Sequence, residues 1–205
     1  MSGPTNGPPE SVGAPAFAVF ASGDGSNLQR FIDLTRAGNY PGRLTLVVSD
    51  RPECRAVARA TSAGIPVRAR DPRAFPDKAA YERAILLALE AHGVRWLVLA
   101  GYMRLLGPTL LEPYRDHIVN VHPSLLPAFP GKDAIGQARR AGVMFTGVTV
   151  HYVDEGIDTG LPIAQARVAV RPDDTAEALA ARIHAVEHGL YPAVVADVLR
   201  GDDLS

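Results

Sequence analysis

Ala16-Phe-Ala-Val-Phe-Ala21, followed at once by Ser22-Gly-Asp-Gly-Ser-Asn27, is the stretch on which the fold turns. A short run of apolar residues, bounded by Pro15 and by Ser22-Gly23, has the pattern of a strand buried on both faces. Leu28, Phe31, Ile32 and Leu34 then recur at helical spacing until Gly38-Asn39, so strand, glycine-rich turn and helix follow without a gap. The same alternation continues outward. Strands are predicted at Leu44–Val48, from Ile65 to Val67, at Trp96–Ala100 and at His117–Val121. Helices are predicted from Glu53 to Ala63 and from Asp77 to His92. Alternating strands and helices imply right-handed parallel crossovers, hence an α/β, doubly wound, mostly parallel sheet with helices on both faces. The second half changes rhythm. A short helix over Asp133–Ala141 precedes two extended segments, 147–153 and 163–170, which can pair with each other or extend the sheet antiparallel. A long helix over Thr175–Leu199 closes the chain, with a bend expected at Tyr191-Pro192.

A chain of 205 residues is one generous domain against a prior of about 150 residues. Met1–Pro15, rich in Gly and Pro, reads as a disordered lead-in to a single domain over 16–205. It lacks the basic start of a signal peptide. One cysteine, Cys54, excludes an internal disulfide. Lys+Arg 21 against Asp+Glu 22 gives no basic surplus for nucleic acid, and no apolar run approaches the roughly 20 residues of a membrane span. Small-molecule substrates in a cytoplasmic setting are the expectation.

Three segments carry candidate chemistry. Gly23-Asp-Gly-Ser-Asn27 joins a strand to a helix, where backbone N–H groups and the helix N-terminus suit a phosphate. Leu28 stands where a dinucleotide fingerprint needs its third glycine, and no Lys-Ser/Thr follows for a P-loop. Asp50, after the second strand, keeps a dinucleotide reading open through its ribose-binding potential. Asn120 and His122, two apart at the end of a strand, share one face. In an open α/β sheet they border the ligand crevice, an amide donor beside a proton-moving imidazole. The acidic loop Val153–Gly160 supplies a carboxylate that can orient His122 and favour its cation. His184-Ala-Val-Glu187-His188 matches a zinc-binding string but has too little chain after it for the third ligand such a site needs, so no metal is expected.

Together, Ser22–Asn27, Ala100-Gly-Tyr-Met-Arg-Leu-Leu106, Asn120-Val-His-Pro-Ser-Leu-Leu-Pro127, Thr149–Val153 and Glu187-His-Gly-Leu-Tyr-Pro192 resemble, in order and spacing, the phosphoribosylglycinamide formyltransferase family of the folate-dependent formyltransferases. The resemblance covers Ala16 to about Leu199. It implies a Rossmann-like formyltransferase fold and transfer of a formyl group from 10-formyltetrahydrofolate, as co-substrate, to the amine of glycinamide ribonucleotide in purine biosynthesis. It further implies catalysis by Asn120, His122 and Asp158. Acceptor contacts would come from Gly25, Ser26, Asn27, Lys78, Gly101 and Glu187. The folate pocket would be lined by Met103, Arg104, Leu105 and Leu106 and by Asp154, Glu155, Gly156 and Ile157. Lys78 stands where many members carry arginine, keeping the charge without the bidentate fork. The segment Lys132–Gly136 lacks histidines that some members carry, and no role is assigned to it. The enzyme would work as a monomer or homodimer. The rival readings are a formyltetrahydrofolate deformylase, sending the formyl group to water, and a non-catalytic nucleotide-binding module.

Overall fold

The computed structural model describes residues 13–202. Most of the lead-in, residues 1–12, lies outside the described residues. Ala14 and Pro15 at its end are described, and their carbonyls accept hydrogen bonds from the Arg43 side chain and amide.

Seven strands form one sheet in the order β3-β2-β1-β4-β5-β6-β7. Their ranges are β1 Ala16–Phe20, β2 Arg43–Ser49, β3 Val67–Ala69, β4 Trp96–Leu99, β5 Ile118–His122, β6 Phe145–Tyr152 and β7 Pro162–Ala169. The first five are mutually parallel, whereas β6 runs antiparallel to both β5 and β7. Both expectations for the late strands therefore hold: they pair with each other and they extend the sheet.

Helices α1 (Ser26–Arg36), α2 (Arg55–Ser62) and α6 (Ala176–Asp202) cover one face, and α3 (Lys78–Ala91) and the short α4 (Pro108–Leu111) cover the other. The short helix α5 spans Ala134–Arg140. Every residue of β1 is buried. Phe17 and Val19 pack among Leu28, Phe31 and Tyr191, while Ala18 and Phe20 pack among Tyr81, Ile85 and Leu89. A strand apolar on both sides is what a sheet covered on both sides requires.

Several boundaries shift for identifiable reasons. The Gly64 and Ile65 amides close α2 by bonding to Thr61 and Ala60 carbonyls, and Pro66 has no N–H, so β3 starts at Val67 rather than Ile65. α2 starts at Arg55, not Glu53, and α4 is too short to leave a periodic signal. Caps fall where side-chain oxygens meet free amides: Asp77 Oδ1 accepts from Ala80 N at 2.6 Å and Thr175 Oγ1 from Ala178 N at 3.1 Å. α6 continues as one helix across Pro192. It is anchored beside that residue by the Tyr191 hydroxyl, 3.0 Å from the carbonyls of both Leu99 and Val119. Strand order reverses between β1 and β4, so the crevice opens beyond their carboxyl ends. Ala21–Gly25, Ala100–Gly107 and the end of β5 all reach it.

Candidate active site

At one end of the crevice, Gly25 caps α1 in the left-handed region with φ 76°. A Cβ there would stand 2.8 Å from Ala56 Cα, so both the conformation and the packing against α2 require glycine. No side chain caps this helix and no acid occupies its first turn, which leaves the amides of Ser26 and Asn27 directed outward. The loop is braced from behind. Ala56 N donates to the Gly23 carbonyl at 3.1 Å. Arg59 Nε donates to the Asp24 carbonyl at 2.8 Å, and Arg55 and Arg59 both pair with the Asp24 carboxylate. The carboxylate in this loop is thereby paired with two cations.

Asn27 Nδ2 donates to Glu187 Oε2 at 2.9 Å, which joins α1 to α6. Glu187 is buried, and burial raises its pKa against the opposing effect of the Asn27 hydrogen bond. The Asn27 side-chain oxygen Oδ1 is buried with no partner among the described residues. Glu187 thus faces Asn27. His184 is exposed on the same helix, and His188 Nε2 is buried without a partner among the described residues.

Ser22 stitches three loops together. Its hydroxyl donates to Asp50 Oδ1 and accepts from Met103 N at 2.9 Å, and its amide donates to the Gly101 carbonyl at 3.1 Å. Asp50, the candidate ribose acid, is therefore engaged inside the protein. Gly101 does touch the β1 loop. Lys78 pairs with Glu82 at 3.7 Å, and its stem lies against Gly107. Buried Glu82 in turn accepts from Gly107 N at 2.7 Å. Lys78 therefore sits at the end of the Met103–Leu106 segment.

At the other end of the crevice, β5 presents Asn120 and His122. His122 Nε2 lies 2.8 Å from the Phe129 carbonyl, and Nδ1 lies 3.3 Å from Asp158 Oδ2. Both neighbours only accept, and a neutral imidazole has one N–H. A proton on Nε2 suits the carbonyl, and one on Nδ1 would suit the carboxylate. Asp158 is held for this task with φ 55°, a left-handed conformation uncommon outside glycine, and its Oδ2 also accepts from Gly131 N at 2.7 Å.

A crevice of about 550 Å³, its open mouth included, lies beside Asn120 and Asp158, and its lining does not include His122 or Gly25–Asn27. Arg104, Leu105 and Leu106 line one side, Asp154, Glu155 and Gly156 another, and Asn120 and Asp158 its floor. Met103, 61% exposed, and Ile157 stand on the rim instead. Sequence reasoning assigned no role to His151, which lines the same crevice and lies opposite Asn120 in the antiparallel ladder. The available signal was period two: Thr149 and His151 are polar residues on one face of an otherwise apolar strand.

Known proteins share this sequence pattern and fold. A profile described as "Formyl transferase" matches residues 16–195. Phosphoribosylglycinamide formyltransferase of Bacillus subtilis is 49% identical over 183 residues, covering 89% of this chain and 94% of that protein. The crystal structure of glycinamide ribonucleotide transformylase 1 from Geobacillus kaustophilus superposes with a TM-score of 0.88 at 54% identity, covering 91% of this chain and 99% of that one. The corresponding protein of Symbiobacterium toebii gives 0.90 at 42% identity, covering 93% and 90%. With that profile running through the whole sheet and relatives close to half-identical along almost all of it, the chain belongs to the formyl transferase family.

Proposed function

We propose that this chain transfers the formyl group of 10-formyltetrahydrofolate to the primary amine of glycinamide ribonucleotide, as a cytoplasmic enzyme of purine biosynthesis. The reading rests chiefly on one observation: an imidazole bracketed by a carbonyl and a carboxylate, two residues along β5 from an amide that lines the crevice, in a sheet that also carries an uncapped, glycine-led helix N-terminus after β1. The helix end suits the phosphate of the acceptor, and Glu187 with Asn27 suits its polar middle. The apolar side chains Leu105 and Leu106 suit a flat pterin, with Lys78 and Arg104 on the same side of the crevice.

The acceptor amine attacks the formyl carbon, a C–N bond forms, and the carbonyl becomes an oxyanion. Asn120 Nδ2 and the His122 imidazolium donate hydrogen bonds to it. The His122–Asp158 contact, at 3.3 Å the longer of the two His122 makes, is the one exchanged for the substrate oxygen. Asp158 takes the proton released by the amine and returns it to the folate nitrogen as the old C–N bond breaks. Formylated acceptor and tetrahydrofolate leave, with no covalent enzyme intermediate and no metal in the scheme.

The test is an assay with 10-formyltetrahydrofolate in the presence and absence of glycinamide ribonucleotide. Tetrahydrofolate formation is expected to depend on the acceptor, with the formyl group recovered on its amine. Formate released at an undiminished rate without the acceptor would identify a deformylase instead. Tight binding of glycinamide ribonucleotide with no turnover would leave only the binding-module reading.

A further inference from the structure

We propose that His151 is a positioning residue. As a neutral imidazole it accepts a hydrogen bond from the Asn120 amide and thereby turns the second N–H of that amide toward the formyl oxygen. The proposal rests on the oxyanion-donor role given to Asn120 above.

The argument begins with a carbonyl. His151 Nδ1 lies 2.7 Å from the Tyr152 backbone oxygen, which can only accept. Nδ1 therefore carries a proton. The ring is 2% exposed, and burial lowers its pKa, so the second nitrogen stays bare near neutrality. The charged groups facing the ring are Asp158, Asp154 and His122. The two carboxylates pull the pKa up and His122 pulls it down, but burial outweighs all three. Asp158 Oδ1 stands 3.6 Å from Nε2, too far for a strong hydrogen bond.

A bare Nε2 can only accept. Asn120 lies directly across the ladder from His151, and its Nδ2 is 3.1 Å from Nε2. The opposite amide orientation would set the Asn120 oxygen against the lone pair of Nε2, two acceptors facing each other. One backbone carbonyl thus selects the tautomer, and the tautomer selects the face of the amide. Without that chain the two orientations of Asn120 would differ little in shape, and half of them would aim an oxygen at the developing oxyanion. The cost of organising the donor is met when the protein folds rather than at the moment of reaction.

Two measurements test this. In the unmodified protein, nitrogen NMR of the His151 ring at neutral pH is expected to show Nδ1 protonated and Nε2 bare. A protonated Nε2 would overturn the proposal without recourse to any variant. In the second measurement, His151→Leu is expected to lower kcat by about tenfold or more, short of the loss from deleting an oxyanion donor, with KM for both substrates little changed. His151→Gln, whose side-chain oxygen can accept from Asn120, is expected to recover most of the rate. In an Asn120→Ala background, His151→Leu is expected to add nothing beyond about twofold, since the amide it orients is gone. A full multiplicative loss there would mean that His151 acts independently, and the proposal falls. Undiminished turnover in Asn120→Ala alone would instead overturn the oxyanion reading beneath it.

Discussion

The two ends of the crevice are built from different materials. The acceptor end is backbone: Gly25, Ser26 and Asn27 present amides at the start of α1, in the parallel half of the sheet. The catalytic end is side chain: Asn120, His122 and His151 stand on the antiparallel pair β5 and β6, and Asp158 comes from the loop beyond. Recognition of a phosphate needs several weak donors at fixed spacing, which a helix N-terminus provides from any sequence that can make the turn. Moving a proton in a reaction needs groups that change protonation near neutral pH, and among protein groups within a chain these are side chains. The first end is sensitive to volume and conformation, the second to chemical identity.

The catalytic end should break hardest. Asn120→Ala is expected to reduce turnover by about 100- to 1,000-fold, the usual loss of one oxyanion donor. Asp158→Asn keeps the shape while removing the charge that favours imidazolium, and should cost about a hundredfold or more at neutral pH. In both, substrate binding should change much less than kcat, which steady-state kinetics with direct titration of each ligand would reveal. Since both serve one intermediate, the double variant should lose less than the product of the two. Turnover close to that of the unmodified protein in either single variant would remove that residue from the scheme.

The acceptor end should respond to bulk. Gly25→Val introduces a Cβ 2.8 Å from Ala56 Cα and a disfavoured φ. Calorimetry should show acceptor affinity falling by about tenfold or more while folate binding holds, since the amides approach the phosphate through that turn. Equal losses for both ligands would dissolve the distinction between the two ends.

A smaller effect sharpens the electrostatic side of the same loop. Arg59→Met leaves Asp24 with only the exposed Arg55 as partner, and should raise the acceptor KM by about two- to fivefold, in keeping with the modest worth of exposed ion pairs. Adding Asp24→Asn should restore it. Failure of that rescue would mean that Arg59 holds loop geometry rather than neutralising charge.

The smallest effect is on stability. Burial raises the Glu187 pKa against the opposing effect of the Asn27 hydrogen bond, so the folded protein favours the protonated form more than the unfolded chain does. A raised carboxyl pKa means that the native state holds its proton more tightly than the unfolded chain, so stability falls as pH rises through the native value. Glu187→Gln, which keeps an oxygen for Asn27 Nδ2, should therefore raise the melting temperature by a few degrees at neutral pH. That gain should vanish in acid, below the unfolded pKa, while acceptor affinity drops.

The same division explains what could be read from the chain. The parallel half is written locally: β1, its glycine turn and α1 are consecutive, so Ala16–Arg36 announces both the fold and the proposed anion site. Asn120 and His122 were legible because they are two apart on one strand. His151 was not, since its meaning depends on an antiparallel register that pairs it with a residue 31 positions earlier. Asp158 is fixed by a left-handed backbone and by Gly131 across the loop, neither of which periodicity reveals, and it entered the reading through family resemblance. Lys78 shows another limit: its charge is visible in the sequence, but its neighbours Glu82 and Gly107 are known only from the fold.

Ser22 has a bearing on any redesign of this enzyme toward other acceptors. One hydroxyl and its amide tie together the turns that follow three separate strands, through Asp50, Met103 and Gly101. Transplanting the Ser22–Asn27 turn alone into another scaffold would import the anion cradle but leave its anchor without a mooring. The exchangeable module is discontinuous in the gene, three short segments that must travel as a set. Libraries that diversify any one of them in isolation should yield mostly misassembled crevices, whereas diversity placed on the outer face of α2 leaves the knot intact.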